Sequence, residues 1–454
     1  TPDVLANAIG NKYLEWANQR RSWVEDKKEL RNYVFATDTT KTSNATLPWK
    51  NSTTTPKLCQ IRDNLHANYM AALFPNDDWL LWEGDDEDAE AEEKRKVISS
   101  YIKNKLRYGN FINIVSTMVY DFIDYGNVIG TTEYVNETRI DEETGEVYPG
   151  YVGPRAVRLS PYDVLINPVA TSIDNSPKLI RYIKSLGEVA ADIEDHPEMG
   201  YLSEVFNDIV TVRQNVSGLS THDVDKAEGF TIDGFGSIFE YYQSDYVELL
   251  EFHGDIYDTS TKTLLKNRII TIADRQRVIR NVANPSWRGQ SIRHAGWRLR
   301  PDNLYAMGPL DNLVGMQYRI DHLENLKADV FDMIAHPIAK VQGFVEDFSF
   351  GPGEKIYVGE DGNVEFMRPD TTALNADTQI AILENKMEEM AGAPRQAMGI
   401  RTPGEKTAFE VQTLDNASSR VFMNKVSYFE RNFLEPLIND MLELARRNME
   451  ISDV

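Results

Sequence analysis

The chain has 454 residues, 41% of them hydrophobic, which is enough to build one large core or two to three smaller domains. No stretch approaches the roughly 18 consecutive apolar residues of a transmembrane helix, and the N-terminus lacks the basic start and apolar middle of a secretory signal. The net charge of −23 argues against tight DNA binding by phosphate neutralisation, which needs clustered Lys and Arg, but not against a protein that lets DNA pass.

The first part of the chain is predicted to be mainly helical. Apolar residues recur at helical spacing over 3–35, and a second helix is predicted over 56–73, with a Thr/Ser-rich loop at 37–55 between them. The run "DDEDAEAEE" at 85–93 holds seven acids in nine positions. Because the helix dipole favours acids at an N-terminus, we interpret this run as the solvated start of a helix, with a cation site as the alternative.

The pattern changes between about 125 and 300, where short β-type runs such as "TTEYV", "RAVRLS", "YVELLEF" and "RIITIA" are separated by turn signals. A helical insertion is predicted within this part, at 178–216. From 309 the pattern is helical again, apart from a β-type island at 338–367 whose glycines indicate hairpins. The order of these elements predicts an α+β chain.

Residues that would mark an enzyme or a metal centre are not arranged as such sites require. The seven histidines do not fall at metal-ligand spacing, and no G-x-S-x-G sequence is present. The single cysteine, Cys59, excludes an intrachain disulfide and fits a reducing compartment. We therefore predict a protein without enzymatic activity, metal or cofactor.

The sequence "GIRTPGEKT" at 399–407 comes within one residue of a phosphate-binding P-loop, G-x-x-x-x-G-K-[ST]. Glu405 stands where the lysine is required, and the preceding segment has a helical rather than a strand pattern. A capping box that begins at Thr407 instead predicts a loop leading into a long helix over about 408–447, which Pro436 should bend. A nucleotide-binding enzyme is the less favoured alternative.

Basic residues cluster in one part of this acidic chain, because residues 262–300 hold ten Lys and Arg against one acid, Asp274. One interpretation is contact with nucleic-acid phosphates, with Trp287 and Trp297 interleaved. The other is an ion-pair face toward an acidic neighbour, for instance the 85–93 run of another subunit. The candidate contact residues are Arg275, Arg277, Arg280, Arg288, Arg293, Arg298 and Arg300.

Four segments, taken in order, are similar to one protein family. "NLHANYMAALFPNDDWLLWE" (64–83) looks like its early helix that closes on "ALFP" before an aromatic strand, and "FIDYGNVIGTTEYV" (122–135) looks like its Gly-Asn turn into the next strand. "GPLDNLVGMQYRIDHLENLKADVFDMIAHPIAKV" (308–341) resembles its stem helix. "AMGIRTPGEKTAFEVQ" (397–412), the most specific of the four, resembles the loop and helix that follow the returning stem helix. The family is the portal proteins, or head–tail connectors, of tailed bacteriophages, and those of short-tailed phages are the most similar.

The resemblance implies an elongated α+β subunit with a mixed α/β wing, a two-helix stem, a small β-containing clip, a tunnel loop and a long kinked helix. Twelve subunits would form a ring at one capsid vertex of the virion, assembled in the cytoplasm of the host bacterium. Double-stranded DNA would pass through its channel during packaging and ejection, repelled from the wall by chains that each carry −23. Its partners would be the major capsid protein, the terminase motor, tail adaptors, and scaffolding and internal core proteins, with no membrane. Another structural virion protein, such as an adaptor, is the second alternative.

The resemblance also assigns the segments of the chain. It implies a wing at 1–308, an outgoing stem helix at 309–335, a clip at 336–370, a returning stem helix at 371–392, a tunnel loop at 393–407 and a long kinked helix at 408–454 that runs toward the wing or crown. The family's chain continues with a further strand and, in many members, a helical crown. This sequence ends at "RRNMEISDV", so a crown is either outside it or absent. The acidic run and an insertion at 178–232 have no counterpart in the family.

The tunnel loop contains the candidate DNA contacts. These are the basic residues Arg395, Arg401 and Lys406, with Gln396 as a weaker candidate. In the family this loop projects into the channel, so the resemblance implies weak, salt-sensitive contacts with passing phosphates. The alternative is that Arg401 or Lys406 pairs with Glu405 or with a neighbouring subunit.

Overall fold

The chain folds into two compact units in the computed structural model. Unit 1 comprises Thr1–Val24, Tyr69–Gly308 and Lys425–Val454, and unit 2 comprises Glu25–Asn68 and Pro309–Asn424. None of the helices in the described part is both long and apolar enough to cross a lipid bilayer. The described residues are 2–35, 51–81, 89–140, 144–145, 147–167, 169–170, 172–174, 176–214, 245–286, 292–344, 356–367, 370–392 and 420–448.

The helices follow the predicted order. They are α1 (Pro2–Gln19), α2 (Arg21–Phe35), α3 (Lys57–Leu73), α4 (Ala89–Tyr108), α5 (Phe111–Asp124), α6 (Leu186–Asp195), α7 (Ser203–Gln214), α8 (Val314–Ala335), α9 (Asp377–Ala391) and α10 (residues 420–448). Short 3-10 helices lie at Pro197–Met199, Asp311–Leu313 and Thr371–Ala376. The helices predicted over 3–35 and 56–73 are confirmed as α1 with α2 and as α3.

The strands form four antiparallel sheets in the described part, in the orders β2-β1-β8, β10-β9, β11-β12 and β3-β4-β5-β6-β7. They are β1 (Asn127–Ile140), β2 (Val147–Leu159), β3 (Val164–Ile166), β4 (Lys178–Ser185), β5 (Tyr246–Asp258), β6 (Thr263–Ala273), β7 (Arg277–Ala283), β8 (Arg293–Gly296), β9 (Arg298–Arg300), β10 (Asn303–Met307), β11 (Ile338–Gln342) and β12 (Asn363–Met367). The predicted β-type runs and the β island at 338–367 are confirmed, and so is the α+β class.

The five-stranded sheet of unit 1 is covered on both faces, and successive side chains of its strands point to opposite sides. Leu250 of β5 belongs to a buried cluster with Ile9 of α1. Its neighbour Leu249 belongs to a different cluster with Ile209 of α7. The apolar face predicted for the first helix therefore packs on this sheet, and the insertion packs on the opposite side.

A close crossing of two backbones lies where the "YGN" turn enters β1. Gly126 has a φ of 69°, and a Cβ atom there would come within 2.3 Å of the Gly308 nitrogen. The next residue, Asn127, is buried; its amide nitrogen donates to the Ala306 carbonyl and its amide oxygen accepts from the Ala306 nitrogen, both at 3.0 Å. The side chain thus bonds to Ala306 as a neighbouring strand would. His294 lies 3.0 Å from the same oxygen, and burial lowers its pKa to about 4.

Unit 2 is built mainly of helices. Its interior contains fully buried side chains from four of them, such as Tyr33, Leu58, Ile320 and Met387. A buried ion pair joins Lys57, at the start of α3, to Glu388 of α9 at 2.6 Å. In unit 2, α8, the antiparallel β11–β12 pair and α9 follow one another along the chain, which gives the order helix, hairpin, helix. Ile338 lies opposite Met367 in the strand pair.

Three local expectations need correction or refinement. Residues 178–185 are not helical but form β4, which pairs with β5 over its whole length, so the helical insertion begins only at Leu186. No strand follows "ALFP" in the described residues; Trp79 instead stacks on Phe111 with ring centroids 6.0 Å apart. Pro436 lacks an amide hydrogen and is expected to disturb α10. The turn that precedes it, Glu430–Leu434, is π-helical.

Candidate functional site

The predicted DNA contacts Arg395, Gln396, Arg401 and Lys406 lie outside the described residues, as does the P-loop-like sequence at 399–407. The described chain ends on one side of this segment with α9, whose last residue is followed by Gly392 in the left-handed conformation at a φ of 72°. It resumes at residue 420 with α10. The structure therefore gives the ends of the segment but not the geometry of its basic side chains.

Three arginines of the basic segment 262–300 hold carboxylates inside the same chain. Arg275 reaches both oxygens of Glu248, at 2.9 and 3.0 Å. Arg280 lies 3.3 Å from Glu251. Arg293 binds Asp440 of α10 with two nitrogens, at 2.7 and 2.9 Å. The ion-pair interpretation describes these three residues, but their partners are acids of unit 1 rather than the 85–93 run of another subunit.

The other candidates of the basic segment are dispersed. The Arg298 guanidinium lies 5.0 Å from the centre of the Trp297 ring, and Lys425 of α10 lies over the same ring at 4.6 Å. Trp297 is buried, so its indole is not a platform for nucleic-acid bases. Arg277 is exposed at the start of β7, and Arg300 is exposed at the end of β9. Arg288 lies outside the described residues.

The acidic run leads into α4, which begins at Ala89, and its described part behaves as a solvated helix start. Glu92 pairs with Lys96 one turn later at 2.9 Å, and both side chains are largely exposed. Throughout the described ranges no cluster of three or more His, Cys, Asp or Glu side chains is arranged to hold a metal ion. Residues 82–88 of this region are not among those ranges.

A cavity of about 630 Å³ in unit 1 lies between residues 74–79 and the junction of α4 with α5. Its walls combine aromatic rings, amide side chains and the cations Lys103 and Arg107. The described residues of its lining include no histidine, cysteine, serine or threonine. The described lining therefore offers no hydroxyl or thiol nucleophile paired with a histidine base.

A row of polar side chains lies on α8 in unit 2. Gln317, Asp321, Asn325 and Asp329 follow one another at intervals of four residues and therefore lie along one face of the helix. The first three are fully buried. We call these four residues the α8 ladder.

The α8 ladder holds an extended segment, residues 51–55, by its backbone. The Thr55 nitrogen donates to Asp321 at 3.0 Å, and the Thr53 nitrogen donates to Asn325 at 3.1 Å. Asn325 donates in return to the Thr53 carbonyl at 2.9 Å. The Asn51 nitrogen donates to Asp329 at 3.0 Å. Four residues of helix rise about 6 Å and two residues of extended chain about 6.6 Å, so the two repeats stay in step over this length.

Apolar side chains are exposed on the remaining surface of unit 2. Every described residue of the last turn of α8, from 331 to 335, is exposed. Phe331 is 54% exposed and Ile334 is 45% exposed. The β11–β12 sheet has two strands only, and most of its side chains, including Met367 at 56%, are exposed in the described part. An isolated two-stranded hairpin is marginally stable in water, and exposed apolar patches are typical of contact surfaces.

Sequence reasoning missed the α8 ladder because Gln, Asp and Asn are residue types that are common on protein surfaces. The available signal was the repeat itself: every fourth residue from 317 to 329 is Gln, Asp or Asn, on a helix that also carries apolar residues. Their partners lie more than 250 positions earlier in the chain, as for Leu58 and Gln317 with a separation of 259.

Comparison of the sequence with protein-family models and with curated proteins finds no match in either.

Proposed function

We propose that this chain is the subunit of a phage portal ring, through which double-stranded DNA passes during packaging and ejection. Support comes from the four sequence segments that resemble portal proteins and from the order helix, hairpin, helix in unit 2. Its capsid, terminase and tail-adaptor partners, its virion location and its lack of enzymatic activity belong to the same proposal.

The observation that carries the proposal is the exposed apolar surface at the end of α8 and on the β11–β12 sheet. Large exposed apolar patches in a protein that stays in water mark contacts with other molecules. Neighbouring copies in a ring would bury such a patch on every subunit, because each copy presents the same surface. The experiment that tests it is negative-stain electron microscopy of the purified chain, combined with native mass spectrometry. Rings of about twelve subunits with a central hole are expected; a monomer at every concentration would contradict the proposal.

The contribution of the end of α8 can be tested by placing charge on it. Phe331→Glu combined with Ile334→Glu is expected to abolish rings, since two carboxylates would have to be buried in each contact between subunits. The monomer should stay folded, because both side chains are about half exposed in the single chain. The matched control is Leu202→Glu with Val212→Glu in unit 1, whose side chains are each 50% exposed. Rings that survive the first pair, or are lost equally in the control, would refute this assignment.

The tunnel-loop assignment leads to a prediction about DNA retention. Arg401→Ala combined with Lys406→Ala is expected to leave ring assembly intact and to reduce the DNA retained by filled heads, because few other cations would contact passing phosphates. The measurement is the DNA content of purified heads as the salt concentration is varied. Glu405→Ala, which removes the acid between these two residues, is the control and should retain DNA at least as well as the wild type. Normal retention in the double variant would exclude this role.

A further inference from the structure

The hydrogen bonding of residues 51–55 to the α8 ladder involves one fully buried carboxyl group. Asp321 is fully buried. Its Oδ1 accepts from the Thr55 nitrogen at 3.0 Å and from the Gln317 side-chain amide at 2.9 Å. Its Oδ2 is also buried and has no hydrogen-bond partner in the described structure. The Thr54 hydroxyl oxygen, in the held segment, is likewise buried without a partner.

Among the described residues, no cation acts on the Asp321 carboxyl to balance its charge when it is ionised. Glu324, on the same helix, is acidic and pairs with Lys327 at 3.3 Å. The chain from 51 to 58 contains one cation, Lys57, which is held by Glu388 of α9 at 2.6 Å. Burial of a carboxylate with an unbonded oxygen disfavours its ionised form, because the charge loses its hydration, whereas the protonated acid does not carry that penalty.

We infer that the polar face of α8 is a binding site for an extended polypeptide segment, filled here by residues 51–55, and that the Asp321 carboxyl must carry a proton for the segment to be held firmly. Loss of the proton places an uncompensated charge beside the Thr55 amide. Local opening then lets water reach Oδ2. Recognition of the segment through its backbone makes such opening possible without loss of a large apolar contact.

The direction of the pH dependence follows from burial. Burial raises the pKa of Asp321 from its ordinary value of 3.8 to about 7, opposed by the hydrogen bonds from Thr55 and Gln317. The closed state therefore holds a proton that the open state releases. Stabilisation of the closed state is complete below about pH 4 and is lost as the pH rises through about 7. Above that pH both states are ionised and the stability of the closed segment no longer changes.

The test is hydrogen exchange of the amides of residues 51–55, measured on the full chain between pH 5 and 8. Each rate is divided by the rate of an unstructured peptide of the same sequence, which removes the intrinsic effect of pH. The protection of the wild type is expected to fall by up to about tenfold per pH unit until pH 7 and then to level off. Asp321→Asn keeps an acceptor oxygen for Thr55 and should show protection that does not change with pH.

Two control variants separate the proton effect from simple damage. Asp329→Asn removes a carboxylate from the half-exposed end of the same ladder and should keep the slope of the wild type. Asn325→Ala removes the middle clamp and should lower protection equally at every pH. Protection in the wild type that is constant from pH 5 to 8, or an unchanged slope in Asp321→Asn, would overturn the inference. Neither outcome depends on ring formation.

Discussion

Gly126→Ala is expected to cost on the order of 4 kcal/mol of folding free energy, among the largest effects of any single substitution in unit 1. The backbone at Gly126 has a φ of 69°, where a Cβ atom clashes with the chain's own carbonyl. The new Cβ would also lie 2.3 Å from the Gly308 nitrogen and 2.4 Å from the Met307 carbonyl carbon. Both contacts are with backbone, which cannot rotate away as a side chain can. The two backbone segments would have to separate, and the hydrogen bonds between Asn127 and Ala306 would be lost.

Gly145→Ala separates the two causes of this loss. Gly145 has nearly the same φ, 70°, but a Cβ there would meet nothing within 4 Å. Its cost should be about 1–2 kcal/mol, the price of the left-handed conformation alone. The measurement is the urea concentration at the midpoint of unfolding, followed by tryptophan fluorescence, for both variants. If Gly126→Ala costs no more than Gly145→Ala, the crossing at Gly308 does not contribute to stability.

Glu248→Ala is expected to destabilise the five-stranded sheet by about 3–5 kcal/mol, because it removes the buried carboxylate that pairs with one buried and one partly buried guanidinium group. Glu248 is fully buried in β5. Arg181 of β4 reaches one of its oxygens at 3.0 Å, and Arg275 reaches both. The Arg275 guanidinium also lies 4.7 Å from the centre of the Tyr13 ring of α1. Removal of Glu248 should therefore loosen α1 as well as the turn between β6 and β7.

Glu133→Ala is the matched control for this prediction. Glu133 pairs with Arg155 across β1 and β2 at 2.8 Å, but the two side chains are 43% and 36% exposed. Water screens such a pair, so its loss should cost no more than about 1 kcal/mol. Thermal unfolding of both variants provides the comparison. Similar costs for the two variants would show that burial does not set the energy of the Glu248 pairs.

The type and order of most elements could be read from the sequence. The helix at 314–335, the β island that follows it and the returning helix each have a pattern of apolar spacing contained within their own residues. Residues 178–185 form a strand rather than the predicted helix because they pair with β5, more than 60 positions later in the chain. Local spacing carries no information about such a partner.

The role of charged and polar side chains could not be read in the same way. Arg275, Arg280 and Arg293 stand close together in the sequence and resemble a basic patch. Strand alternation and the position of α10 pair each of them with a different acid of unit 1. The α8 ladder is likewise meaningful only because residues 51–55 lie against it. A charged group interacts most strongly with its nearest neighbours, and which groups those are is set by packing between segments distant in the chain.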